Sequence, residues 1–162
     1  MTVQGCTVNG VADLTNFARK RFDFMLARDK YHDAVRSALE SDGWKITHDP
    51  YYLEFEGVTY NIDLGAEQVL GAEKEGQTIA VEIKSFLGDA WTTNVYLALG
   101  QFFSYRVGLK KEDVDRILYL AMPVTAWDRV CKIPIVQETF QEMRLKLIIY
   151  NPIDETIVKW IE

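Results

Sequence analysis

The sequence is poor in the residues that build disulfide frameworks and zinc sites. Its 162 residues include only two cysteines and two histidines. Cys6 and Cys131 show no metal-ligand spacing, so the chain does not read as a zinc-binding or disulfide-stapled domain. Free thiols in a reducing compartment are the expectation for such a pair.

Long apolar runs are also missing. No stretch of the sequence approaches the length that a membrane-spanning helix requires. The N-terminal residues lack the basic segment followed by an apolar segment that marks a secretory signal. We therefore expect a cytoplasmic protein with no membrane partner.

Positive charge is scarce as well. The chain has 18 basic and 24 acidic residues, a net charge of −6, whereas non-specific binding to nucleic acid needs a basic surface. A nuclease is not excluded, because a metal ion can neutralise local carboxylates. Arg106, Lys110, Lys111 and Arg116 could form a basic patch or be ordinary solvated charges. A partner that supplies the DNA affinity fits the acidity better.

What the chain does have is one β-rich stretch with an unusual polar pattern. Residues 78–85 alternate between apolar and small or polar types, which predicts a strand with one face in a core. On such a strand Glu82 and Lys84 share a face. Asp63 follows another β-rich run, 58–62, and Glu75-Gly76 reads as a hairpin turn between the two.

Asp63 and Glu82 on adjacent strands would form a hard-oxygen site suited to Mg²⁺ or Mn²⁺. The backbone carbonyl of Ile83 could add a ligand. Lys84 beside such an ion could orient or deprotonate a water, or stabilise charge on a phosphate. The alternative is a surface ion pair between Glu82 and Lys84 on a solvated strand.

The helix predicted over Thr93 to Leu109 carries two further candidates. Gln101 and Tyr105 are four residues apart and therefore stand on one helical face. The Gln101 amide could orient a water or a phosphate, or it could cap backbone groups beside the sheet. Tyr105 could equally pack in the core or touch substrate.

Asp63, Glu82-Ile83-Lys84 and Gln101-x-x-x-Tyr105 together resemble the PD-(D/E)xK nuclease superfamily and its RecB-like branch. More narrowly, the segments DGWKITHDP, IDLGAE, IAVEIKSF, ALGQFFSYR and DRILYLAMP resemble cyanobacterial XisH proteins, the fdxN element excision controlling factors. This resemblance implies an α/β fold with a restriction-endonuclease-like mixed β-sheet flanked by helices. It implies Asp63 and Glu82 as metal ligands, and Lys84 and Gln101 as catalytic residues.

The resemblance also implies a biological setting. Its members act in excision of the fdxN DNA element during heterocyst differentiation, with DNA, an XisI-like excision factor and, indirectly, a site-specific recombinase as partners. We expect residues 27–162 to form the endonuclease-fold domain. Residues 1–26 lie outside the resemblance and are expected to be an extension with a short helix or an early start. A homo-oligomer is left open.

Three residues are accessory candidates. Glu73 would lie opposite Thr78 across a tight turn, either at the edge of the site or exposed. Glu40 ends the amphipathic helix predicted over 29–42, where it could lend an acid to the site or be solvated. His48 could act as a general base, but the turn at Asp49-Pro50 explains it structurally.

The remaining elements complete the predicted fold. Hairpin strands are expected at 51–55 and 58–62, a buried strand at 115–122, a helix at 135–143, and two closing strands at 145–150 and 156–161. Pro134 is expected to interrupt any long helix between 124 and 140.

Two rivals to a Mg²⁺-dependent endodeoxyribonuclease stay open. One is a non-catalytic regulatory module that binds DNA or protein and retains the nuclease fold. The other is a nuclease restrained by an XisI-like partner.

Overall fold

Eight β-strands occur in the ranges that the computed structural model describes, which are residues 31–52, 54–59, 69–74, 76–112 and 115–162. They are β1 (Lys45–His48), β2 (Glu54–Phe55), β3 (Val58–Thr59), β4 (Val69–Lys74), β5 (Gln77–Ile83), β6 (Ile117–Pro123), β7 (Leu147–Asn151) and β8 (Thr156–Ile161). Six of them form one mixed sheet in the order β1-β4-β5-β6-β7-β8, and β2 pairs with β3. Strands β5, β6 and β7 run parallel, while the other neighbours are antiparallel.

Helices cover both faces of this sheet. They are α1 (31–41), α2 (Trp91–Glu112), α3 (Val124–Val130) and α4 (Pro134–Glu142). One apolar core lies between the sheet and α2, α3 and α4, and a second lies between the sheet and α1. Within the described ranges, no helix is long and apolar enough to cross a membrane. The expected mixed α/β architecture is thus confirmed.

The central strands are apolar because they contribute to both cores. Along β6, Leu118, Leu120 and Met122 belong to the core under α2, whereas Tyr119 and Ala121 belong to the core under α1. Side chains of a strand alternate between the two faces of a sheet, so a doubly covered strand reads as an almost continuous apolar run.

Helix α1 follows the expected amphipathic pattern. Ala34, Val35, Ala38 and Leu39 are almost completely buried. Gly43 ends the helix with φ 88°, a left-handed conformation that glycine adopts without strain. Its N–H donates to the Glu40 carbonyl and the next N–H donates to the Leu39 carbonyl, which is the Schellman arrangement.

Two features of the fold bear on the sequence predictions. The expected hairpin is present in its described part, where β2 pairs with β3 across Glu56 and Gly57, both with positive φ. The expectation for Pro134 is confirmed: no single helix runs through 124–140, because α3 ends at Val130 and Pro134 lies in the first turn of the separate helix α4. Proline suits that position, because its missing N–H has no intrahelical partner there in any case.

Burial of the β7 side chains should account for a large share of the stability. Ile149 is 1% exposed, and Ile153, in the turn that follows β7, is 85% exposed. We expect Ile149→Ala to lower the free energy of unfolding by about 2–5 kcal/mol, because it leaves a cavity in the core. The matched variant Ile153→Ala should change it by less than about 0.5 kcal/mol. Urea titrations followed by circular dichroism measure both, and equal effects would contradict this account of the core.

Candidate functional site

Strand β5 places a glutamate under α2. Glu82 lies between Val69 of β4 and Leu120 of β6 in the sheet and is 0% exposed. Its neighbour two positions earlier, Ala80, belongs to the core under α2, whereas Val81 and Ile83 belong to the core under α1. The alternation of β5 therefore directs Glu82 to the α2 side of the sheet.

Lys84 lies just beyond the end of β5 and on the same side. Its N–H donates to the Ala121 carbonyl at 2.9 Å, so the ladder with β6 continues through this residue. Its ammonium nitrogen Nζ is 2.8 Å from Glu82 Oε1. Lys84 is only 5% exposed, so the two residues form a buried ion pair.

Helix α2 brings the third member of the group. Residues 84–90 reverse the chain after β5, with Phe86 and Gly88 at positive φ, so that α2 runs back across the sheet face. From α2, Gln101 accepts a hydrogen bond through Oε1 from Lys84 Nζ at 2.7 Å. The chain thus assembles a line of polar groups, Glu82–Lys84–Gln101, in an otherwise apolar core.

Burial determines the electrostatics of the Glu82 carboxylate. Both carboxylate oxygens are buried, and no group meets the geometry of a hydrogen bond to either of them within the described part of the chain. The Lys84 contact is an ion pair without that geometry. Burial raises the pKa of Glu82 to about 8 from an ordinary 4.5, because the apolar surroundings penalise the charged form.

The Glu82 carboxylate is suited to be one ligand of a divalent cation, but the cation would need further ligands. Two buried carboxylate oxygens that complete no hydrogen bond among the described residues are suited to a hard cation, which would also favour the ionised form. However, no group of three or more histidine, cysteine, aspartate or glutamate side chains capable of holding a metal occurs within residues 31–52, 54–59, 69–74, 76–112 and 115–162. Asp63, the other predicted ligand, lies outside the described residues.

The register of β4 places its residue Val69 beside Glu82. Val69, six residues after Asp63, pairs with Glu82. Glu73 pairs with Thr78, as expected from a tight turn. It therefore lies four residues along the ladder from the Glu82 level, about 13 Å at the rise of a β-strand.

The other accessory candidates are placed apart from the Glu82–Lys84–Gln101 group. Glu40 is half exposed and forms an ion pair with Arg36 at 3.3 Å, on a helix that covers the opposite sheet face. The structure therefore gives Glu40 no part in this group. His48 is exposed, with Nδ1 3.0 Å from Thr47 Oγ1 and its ring against Tyr51.

Tyr105 packs and is not presented to solvent. It is 2% exposed and belongs to the apolar core between the sheet and α2. Of the two open alternatives for this side chain, burial in the core is the one observed.

The sequence reasoning missed one cavity. A pocket of about 570 Å³ lies between α4 and the ends of β7 and β8, lined by residues that include Trp127, Phe140 and Lys146. At its rim Lys146 Nζ is 2.5 Å from Glu162 Oε2. These residues come from separate elements with no shared motif, so only the tertiary structure brings them together.

The fold and this site define an α/β protein whose mixed sheet carries a buried glutamate–lysine pair beneath one helix. The chain belongs to the XisH family, because the family described as XisH protein matches residues 25–158. No protein with a curated description matches the chain.

Solved structures agree with this assignment. The chain is 38% identical to an fdxN element excision controlling factor protein from Anabaena variabilis, with a TM-score of 0.77 over 83% of this chain and 100% of the other. It is also 38% identical to an XisH family protein from Nostoc punctiforme, with a TM-score of 0.74 over 82% of this chain and 99% of the other.

The raised pKa of Glu82 predicts a pH-dependent stability in the absence of metal. Between pH 4.5 and about 8 the unfolded chain releases this proton while the folded chain retains it, so the free energy of unfolding falls as the pH rises. The slope should approach that of a single titrating carboxyl group, on the order of 1 kcal/mol per pH unit. We expect Glu82→Gln to remove it, which thermal unfolding from pH 5 to pH 8 in the presence of a chelator will measure.

Glu40→Gln is the matched control, since Glu40 is half exposed. It should retain the slope of the parent protein. The same slope in all three proteins would contradict the assignment of this pH dependence to Glu82.

Proposed function

We propose that this protein is a Mg²⁺- or Mn²⁺-dependent endodeoxyribonuclease-like factor that serves the excision of an fdxN-type DNA element. One observation carries the proposal: the Glu82 carboxylate is completely buried, meets the geometry of a hydrogen bond with no described residue, and lies 2.8 Å from the Lys84 ammonium group. An ion pair at this depth is costly to maintain and is a frequent feature of functional sites. The description of the Anabaena variabilis protein supports the excision role.

Each residue of the group would have its own role. Glu82 and Asp63 would hold the divalent cation, which polarises a phosphodiester and lowers the pKa of water when it is bound. Lys84, held 2.8 Å from Glu82 and 2.7 Å from Gln101, would orient the attacking water or stabilise the charge that develops on the phosphate. Gln101 would fix the ammonium group of Lys84 in that position.

The charge distribution favours a partner that delivers the DNA. The net charge is −6, and two of the candidate basic residues are anchored on the protein's own backbone. Arg106 donates to the Met143 carbonyl at 2.6 Å and Arg116 donates to the Ile79 carbonyl at 2.9 Å. An XisI-like factor would supply the DNA affinity, and a site-specific recombinase would carry out strand exchange.

A second candidate function has an observation of its own. Glu82 is 0% exposed, and the 570 Å³ pocket beside α4 lies at β7 and β8 instead of at this residue. A regulatory module that binds DNA or protein, and that retains the buried pair for structure alone, would have this appearance. Binding of metal and cleavage of DNA distinguish the two functions.

Isosteric substitutions in the pair should separate metal binding from catalysis. We expect Glu82→Gln to abolish Mn²⁺ binding measured by electron paramagnetic resonance, and Lys84→Met to leave most of it. Both should lower Mg²⁺-dependent cleavage of supercoiled, linear or branched DNA by about 10³-fold, because each removes a charge from the reacting centre. Each protein is assayed with and without the XisI-like partner.

Glu40→Gln and Lys132→Met are the matched controls, because both residues are exposed at the surface. Neither should change cleavage or Mn²⁺ binding. Cleavage only in the absence of the partner would identify a restrained nuclease. The regulatory module would remain as the function if no mixture cleaved DNA and if Glu82→Gln left Mn²⁺ binding unchanged.

Gln101 provides a finer test of positioning. Gln101→Leu removes the acceptor for Lys84 Nζ but leaves the Glu82 carboxylate in place. We expect cleavage to fall about 10²-fold, the effect of losing one oriented polar group, with Mn²⁺ affinity nearly unchanged. A parallel loss of Mn²⁺ affinity would show that Gln101 acts on the metal site itself.

A further inference from the structure

The outer surface of α2 is apolar, although the structure leaves it open to solvent. Tyr96, Leu97, Phe103 and Val107 are 57%, 62%, 50% and 44% exposed. At 100° per residue all four lie within about 60° of Gly100 around the helix axis. We call this surface, centred on Gly100, the α2 outer face.

Gly100 makes the centre of the α2 outer face flat. Among the described residues, a Cβ atom added there would meet nothing within 4 Å, so their packing gives no steric reason for glycine. Glycine in the middle of a helix lowers helix stability. A residue without a side chain at the centre of an apolar stripe lets a second helix approach closer than the usual 8–10 Å.

The α2 outer face is complementary to itself when α2 of a second copy packs against it in antiparallel orientation, with Gly100 facing Gly100. In that register Tyr96 faces Phe103 of the second copy, and Leu97 faces the small Ser104. Ser104 Oγ already donates a hydrogen bond to the Gly100 carbonyl, so its hydroxyl proton needs no partner from the second copy. A two-fold axis repeats each of these contacts, as symmetric dimers do.

The charges at the ends of α2 fit the same arrangement. Asp89 precedes the helix and Lys111 lies in its last turn. In the register centred on Gly100 these two residues face each other across the dimer, twice. In the single chain Lys111 Nζ is 3.0 Å from Glu56, and both side chains are largely exposed. In the dimer, the Asp89 carboxylate of the second copy would join this solvated pair. Antiparallel α2 helices also oppose their dipoles favourably.

We propose that the α2 outer face is the interface of a symmetric homodimer, in which the α2 helices of two copies pack antiparallel across Gly100. The inward side of α2 holds Gln101 against Lys84, so the interface leaves the Glu82–Lys84–Gln101 group in each copy intact. The proposal therefore does not depend on nuclease activity.

Sedimentation velocity over a range of concentrations tests the proposal with the full chain. The parent protein should sediment as a dimer. Leu97→Glu should raise the dimer dissociation constant at least about thirtyfold, as loss of a central contact does. Gly100→Leu should have a similar effect by separating the helices, while its monomer melts no lower than the parent because the added side chain meets open space. This variant separates loss of the dimer from loss of the fold.

Ile153→Glu is the matched control, at an 85% exposed isoleucine outside α2, and it should leave the dissociation constant unchanged. Asp89→Lys should weaken the dimer by up to about fivefold per contact, and Lys111→Asp in the same chain should restore it. A parent protein that is monomeric at all concentrations overturns the proposal. A dimer dissociation constant that Leu97→Glu and Gly100→Leu leave unchanged overturns the proposal as well. So does a dimer that Asp89→Lys weakens and Lys111→Asp in the same chain fails to restore.

Discussion

The contact between Glu82 and Lys84 is the constraint on which the arrangement of the candidate site depends. A carboxylate and an ammonium 2.8 Å apart, both almost without solvent contact, lose hydration that their mutual attraction does not fully repay. They persist because the surrounding packing is extensive. Strands β4 and β6 flank Glu82, and α2 closes the side to which it points. An apolar pair would pack more easily, so the polar pair lowers the stability that this part of the core contributes.

One strand, β5, satisfies two different demands through its period of two. Ile79, Val81 and Ile83 complete the core under α1, which needs only apolar volume. The alternate positions are Thr78, Ala80, Glu82 and Lys84, so the two charged residues come together at the end of the strand. Polar residues at the carboxyl end of a parallel strand lie where loops and helix ends open the structure. The site thus lies where the core is easiest to interrupt.

The parts of the site that are close in sequence could be predicted, and the parts that depend on packing could not. Glu82 and Lys84 share a face because strand geometry requires it, and Gln101 follows on the helix that returns over that face. Glu40 was a candidate by residue type alone, and its exclusion depends on which sheet face α1 covers. The helix break before Pro134 could be predicted, because proline fits the first turn of a helix and not its interior, and α4 begins there.

Helix α2 shows why a helix can be apolar on two sides. Phe102 is 1% exposed in the core and Phe103, its neighbour in sequence, is 50% exposed, because consecutive helical residues point about 100° apart. A helix that is hydrophobic all round is normally covered all round. Among the described residues, the sheet covers the inner side of α2. The glycine at the centre of the outer side is costly in a lone helix and useful between two helices, so the outer face has the composition of an interface and not of a solvated surface.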